Sequence, residues 1–283
     1  MARQNVAAQA LPLRRTENPP VLLTLRGKRN TISPETTIMA RLNNGPFGFS
    51  PGTFQGQALT HLDASVASTF FTQVYAWMSA GLAVTAAVAY AVANTSLNHW
   101  AMSMPVLIVS FIVEMVLVVT ISSAINRISA PMAIALFMLY SALNGIVLSV
   151  LFMIYTRASL GGTFIITAGA FGAMSVYGYT TKRDLTRIGS FLFMGLIGII
   201  LASVVNFFWH NPMLYWLISY AGVLIFVGLT AFDTQRLRYI ASQTENDPRL
   251  ASRMAVVGSL TLYLDFINLF LMLLRVMGNR RGD

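Results

Sequence analysis

Seven apolar stretches, each long enough to cross a bilayer, follow one another from about residue 72 to the end of the chain, and that succession leaves few folds open. A spanning helix needs about 20 predominantly apolar residues. The stretches lie near 72–94, 103–125, 131–154, 160–180, 188–209, 212–239 and 255–277. Open sheet edges and loops cannot face lipid, because their backbone groups would go unpaired. The reading is therefore an all-α membrane protein, a seven-transmembrane-helix bundle spanning residues 61–283. Short connections favour antiparallel packing of sequential helices. Composition agrees: only 10% of residues are charged, against about 25% in soluble domains.

Residues 1–60 are different. They carry Arg3, Arg14, Arg15, Arg26, Lys28, Arg29 and Arg41, a Pro19-Pro20 pair and a stretch rich in Gly, Pro and Asn. No apolar periodicity runs long enough to pack, which predicts a disordered basic tail. A signal peptide would need an apolar core behind the basic start, and none is visible. The arginine-rich start also matches the composition of an organelle transit peptide, and Met39 offers an alternative start.

The net charge of +9 reads as topology and predicts no nucleic-acid partner. Seven basic residues lie in the tail, and most others sit in alternate loops: Arg127; Lys182, Arg183 and Arg187; Arg236, Arg238, Arg249 and Arg253. The other loops hold only Arg157. By the positive-inside rule the N-terminus is cytoplasmic. Trp100, Trp209 and Trp216 fall at the opposite helix ends, and Trp77 lies nearer the basic side. Arg280 and Arg281 dissent, since seven spans put them outside. Either the tail tolerates them or the last segment re-enters without crossing.

No cysteine is present, which excludes disulfides, thiolate catalysis and cysteine-ligated metals. The three histidines are scattered at loop or helix-end positions, so no histidine metal cluster is expected, and no cofactor.

Chemistry centres on carboxylates. Of ten acidic residues, Glu114, Asp233 and Asp265 fall in membrane-length segments. A charge at mid-membrane costs about 2.5–3.5 kcal/mol on insertion scales, so it persists where it has a partner or a role. With the sixth–seventh connection near residue 247, the aspartates fall roughly 9 and 15 Å from it along their helices. Ser219, Gly222, Thr230 and Asp233 share one face of the sixth helix. Gly258, Thr261, Asp265 and Asn268 share one face of the seventh. Two such stripes on adjacent helices are expected to meet.

Two carboxyls at contact distance cannot both ionise cheaply, so the pair titrates as a unit. One shared proton makes a hydrogen-bonded latch. Losing it leaves repulsion and a site attractive to a cation such as calcium, which favours clustered oxygens. The blander reading is that Asp233, near the interface, snorkels or caps a neighbour. Glu114, with Ser110 one turn earlier, either lines a pathway or is a neutral packing residue. Arg127 either pairs with the aspartates or anchors the membrane surface. Asn144 reads as glue between helices, and Gly161, Gly162, Gly169 and Gly172 as close-packing contacts.

Phe-Asp-Thr-Gln at 232–235, Leu-Tyr-Leu-Asp-Phe-Ile-Asn-Leu-Phe-Leu at 262–271 and Leu-Leu-Arg at 273–275 resemble the Bax inhibitor family, bacterial members included. Tyr-Ser-Ala-Leu-Asn-Gly-Ile at 140–146 and Glu114 fit as well, and the likeness covers about residues 62–279. The resemblance implies seven helices with a central C-terminal helix, and a pH-sensitive calcium leak. It also implies that Asp233 and Asp265 form a proton-sensing pair, with transient calcium there, and that Glu114 matches the family's second-helix glutamate. Arg127 lies near, but displaced from, the family's latching arginine. Asn268 joins Glu114 and Arg127 as a further pathway or latch residue. The implied partners are membrane lipids, calcium and other membrane proteins, including a membrane protease. The implied location is a bacterial inner membrane.

Two rivals stand beside the leak. One is a non-conducting regulator that binds other membrane proteins. The other is an intramembrane aspartyl protease, which also carries aspartates on its sixth and seventh helices. Those enzymes have Gly-x-Gly-Asp at the second aspartate, whereas this chain has bulky Leu-Tyr-Leu-Asp at 262–265.

Overall fold

The computed structural model describes residues 64–101, 103–125 and 127–282; the basic tail 1–60 lies outside the described residues. Seven long helices are present: α1 (Ala64–Ala93), α2 (Met104–Ala124), α3 (Ala130–Leu148), α4 (Arg157–Thr180), α5 (Thr186–Trp209), α6 (Pro212–Gln243) and α7 (Pro248–Met277). Each is long and apolar enough to cross a membrane. Short helical turns, Leu97–Ala101 and Leu151–Ile154, punctuate two connections. Among the described residues there is no strand, only an isolated bridge between Tyr155 and Arg280.

Local chemistry sets the helix starts. Ser129, Asn211 and Asp247 each cap a helix that opens with proline in its first turn, where the missing N–H is no loss. Asp247 Oδ1 accepts from Arg249 N (3.1 Å) and Leu250 N (3.0 Å). That cap lets α7 begin at Pro248 rather than near 255, with Arg249 and Arg253 on its first turns. α6 likewise runs on to Gln243 rather than stopping near 239. Apolar runs mark where lipid is, and these helices continue past it into polar surroundings. Both aspartates consequently lie deeper in their helices than the apolar runs imply. At 1.5 Å per residue α7 is an unbroken helix about 45 Å long, long enough to cross the bilayer.

α7 is buried on nearly every side. It packs against α6, α1, α4, α3 and, more lightly, α2. Leu262, Tyr263, Leu269 and Leu274 are almost wholly enclosed. α5, by contrast, packs principally on α6 and presents Phe191, Met194, Leu201 and Phe208 outward. In water such a face would be a liability; in a bilayer it is the expected lipid surface.

Sequential pairing is only partly followed. α2 packs on α3, and α6 on both α5 and α7, but α1 packs principally on α3 and α4 on α6. Glycines explain the skipped neighbours. A Cβ on Gly81 would lie 2.7 Å from the Phe137 ring of α3, and one on Gly145 would lie 2.7 Å from Thr85 O of α1. A Cβ on Gly178 of α4 would strike the Ala231 backbone of α6. The glycines expected to close-pack do not: nothing lies within 4 Å of a Cβ placed on Gly161, Gly162, Gly169 or Gly172.

Gly178→Val should therefore destabilise the bundle by about 1–3 kcal/mol or more, because backbone cannot move aside as a side chain can. Gly169→Val should stay within about 0.5 kcal/mol. Thermal unfolding of both variants in detergent checks the contrast.

Candidate functional site

The Phe-Asp-Thr-Gln segment of α6 sends each side chain to a different neighbour. Phe232 lies against Gly189 of α5, so closely that a Cβ there would collide with its ring. Thr234 Oγ1 turns back to Thr230 O (2.8 Å). Gln235 ties down the α4–α5 connection, accepting from Leu185 N (2.9 Å) and donating to Arg183 O (2.7 Å). Asp233 is left facing α7.

There it meets Asp265. The two carboxyl groups are joined by a side-chain hydrogen bond, and both residues are buried. Adjacent carboxyl oxygens within hydrogen-bonding reach require a proton between them, since two carboxylates offer only acceptors. The register of the hairpin places them so. Gly222 of α6 receives Met272 of α7, and Gly258 of α7 receives Leu237 of α6, with the aspartates between these two contacts. Asp265 Oδ2 has no hydrogen-bond partner. Arg236, one turn beyond Asp233, acts on it electrostatically. Arg238 points elsewhere: it donates to Tyr179 O (3.0 Å), and its Cζ lies 5.6 Å from the Tyr179 ring centroid.

The two small-polar stripes are enclosed to different degrees. Ser219, Gly222, Thr230 and Asp233 are all buried on α6. On α7, Gly258 and Asp265 are buried, while Thr261 and Asn268 are half-buried. Asn268 donates to Leu264 O of its own helix (2.8 Å) and does not bond to either aspartate. Arg127 is exposed in the α2–α3 turn and, among the described residues, makes no ion pair with the aspartates.

Glu114 belongs to a second polar cluster on the other side of α7. Thr85 of α1 bonds to Ser141 O of α3 (2.8 Å) and to the Tyr263 hydroxyl (2.6 Å). Tyr263 stands edge-on to Tyr140 and Phe137, with centroids 5.7 and 5.5 Å away. Glu114, buried on α2, lies within electrostatic range of both tyrosine hydroxyls, and its Oε1 has no partner. Asn144 corrects the expectation of interhelical glue. Its Nδ2 donates to Tyr140 of its own helix (3.3 Å), and its Oδ1 is unpartnered. Interhelical bonds come instead from Thr85, Tyr263 and Ser259, whose Oγ donates to Val74 O (2.9 Å). None of the three stands out in the sequence as an interhelical donor. Only their position on the small-residue faces of α1 and α7 could have singled them out.

Seven lipid-length helices, the last of them buried and acid-bearing, define a multi-pass integral membrane protein. The family model described as Inhibitor of apoptosis-promoting Bax1 matches residues 67–282. The chain belongs to this family, the Bax inhibitor family. It is 50% identical over 216 residues to inner membrane protein YbhL of Escherichia coli, covering 75% of this chain and 92% of that protein. A Borreliella burgdorferi protein is 50% identical over 220 residues, 77% of this chain and 95% of the relative. A Deinococcus radiodurans protein is 40% identical over 216 residues, 75% and 91% respectively.

Asp265→Asn keeps a hydrogen-bonding group opposite Asp233 and should change stability little. Asp265→Ala strands the Asp233 carboxyl and should cost about 1–3 kcal/mol. Detergent unfolding midpoints of the two variants, measured at one pH, distinguish these outcomes.

Proposed function

We propose that this protein is a pH-sensitive calcium leak, gated by the proton held between Asp233 and Asp265. The observation that supports it best is the hydrogen-bonded carboxyl pair buried between α6 and α7. Desolvation and mutual repulsion make such a pair hold one proton jointly, and the proton acts as a latch between the helices. Its loss leaves two like charges, with Arg236 the cation acting on Asp233. Repulsion then drives α6 and α7 apart locally, and the exposed oxygens suit a divalent cation in passage. Flux accordingly rises with pH on the side to which the pair is open. On this reading calcium binds only transiently, no cofactor is needed, and no covalent bond is cleaved.

We place the protein in a bacterial inner membrane with its N-terminus in the cytoplasm. The name of the E. coli relative supports the membrane, and the basic loops support the orientation.

Purified protein in liposomes loaded with a calcium indicator tests the reading. Wild type is expected to pass calcium with a pH-dependent rate, and Asp233→Asn and Asp265→Asn each to flatten that dependence. Wild-type pH profiles in both variants would refute the shared-proton gate. Liposomes that pass no calcium at any pH would favour a non-conducting regulator of other membrane proteins.

A further inference from the structure

Beyond its last spanning residue the chain folds back and is stitched to the α3–α4 connection. Thr156 N donates to Asn279 O (3.2 Å), Arg281 N to Ile154 O (2.8 Å), and Asn279 N to Ser159 Oγ (2.8 Å). Gly278 makes the turn where a side chain would not fit: a Cβ there would lie 2.8 Å from the Tyr155 ring. The strap has one evident product, which is to fix Arg280. Its guanidinium lies beside the hydroxyls of Tyr155 and Tyr215 and within their electrostatic reach. Arg275, in the last turn of α7, lies with its Cζ 5.6 Å from the Tyr215 ring centroid.

Both arginines line one open cavity of about 530 Å³, together with Asn206, Tyr215 and Trp216. Among the described residues no acidic residue lines it, and aromatic residues stand beside the two cations in place of carboxylates. The cavity sits at the bundle end that carries the exposed Trp209 and Trp216. Tryptophan and tyrosine there mark the headgroup level of a bilayer. Guanidinium groups match phosphate oxygens in geometry and charge. A choline or ethanolamine group beside the phosphate would find two arginines and, among the described lining residues, no acid, so a net negative headgroup fits better.

We propose that this cavity binds the phosphodiester headgroup of an anionic phospholipid, held by Arg275 and Arg280 beside Trp216. Arg280, which the positive-inside rule disfavours at this end, is then explained by a ligand rather than by topology.

Native mass spectrometry of the full-length protein in detergent, titrated with phosphatidylglycerol or phosphatidylcholine, tests the site. Phosphatidylglycerol is expected to bind preferentially. Arg275→Gln and Arg280→Gln should each weaken it about tenfold, the size of one lost bond to a charged group. Arg183→Gln, at the other end, should not. Equal binding of the two lipids overturns the proposal. So does wild-type affinity in arginine variants whose unfolding midpoints match wild type. Quenching of wild-type tryptophan fluorescence by brominated lipids gives an arm independent of the variants, and equal quenching by both headgroups also refutes it. If inorganic phosphate stabilises the protein through both arginines while the lipids show no preference, the occupant is a free anion and the lipid assignment fails.

Discussion

Carboxyl groups inside a hydrocarbon layer survive only where protein, not lipid, surrounds them, and α7 supplies that enclosure. Isolated in lipid, its Asp265 would cost several kcal/mol. Ringed by α1, α3, α4 and α6, the helix can carry an acid, a tyrosine and several hydroxyls at membrane depth. The peripheral helices make this affordable by taking the lipid contact themselves. α2 and α5 bury little of their surface and carry the long exposed apolar rows. The bundle is thus sorted radially, with polar chemistry at its axis and bulk apolar residues at its rim, the reverse of a soluble protein.

Much of this was legible because membranes impose simple rules. Twenty-residue apolar runs announce seven spans, and the carboxylates stand out against them. The facing of Asp233 and Asp265 was read from their depth along adjacent helices and from helical phase, and the family resemblance implied the same pair. Other features were hidden for identifiable reasons. Glycine spacing cannot say which glycines meet a neighbour: Gly178 and Gly189 touch α6, whereas Gly161 and Gly169 face open space. Asn144 looked like an interhelical donor, but a tyrosine four residues earlier on the same helix offered a nearer hydroxyl. The first turns of α7 were missed because Asp247 and Pro248 extend a helix where hydropathy has already faded. The C-terminal strap left no sequence signal, as its bonds run mostly through backbone.

The two polar clusters share one element, and geometry couples them. Asp265 and Tyr263 are two residues apart, so they project from nearly opposite faces of α7 at 100° per residue. Asp265 looks to α6, while Tyr263 looks to Thr85 and the α3 rings. Any rigid shift of α7 that parts the aspartates must therefore press upon, or pull from, the Thr85–Tyr263 bond and the aromatic edge contacts around it. Ser259, bonded to Val74 O, adds a third attachment on the α1 side. Movement at the pair is consequently resisted by packing on the far side of the same helix. Two alternative arrangements of α7, rather than continuous drift, are what tightly packed surroundings of this kind permit.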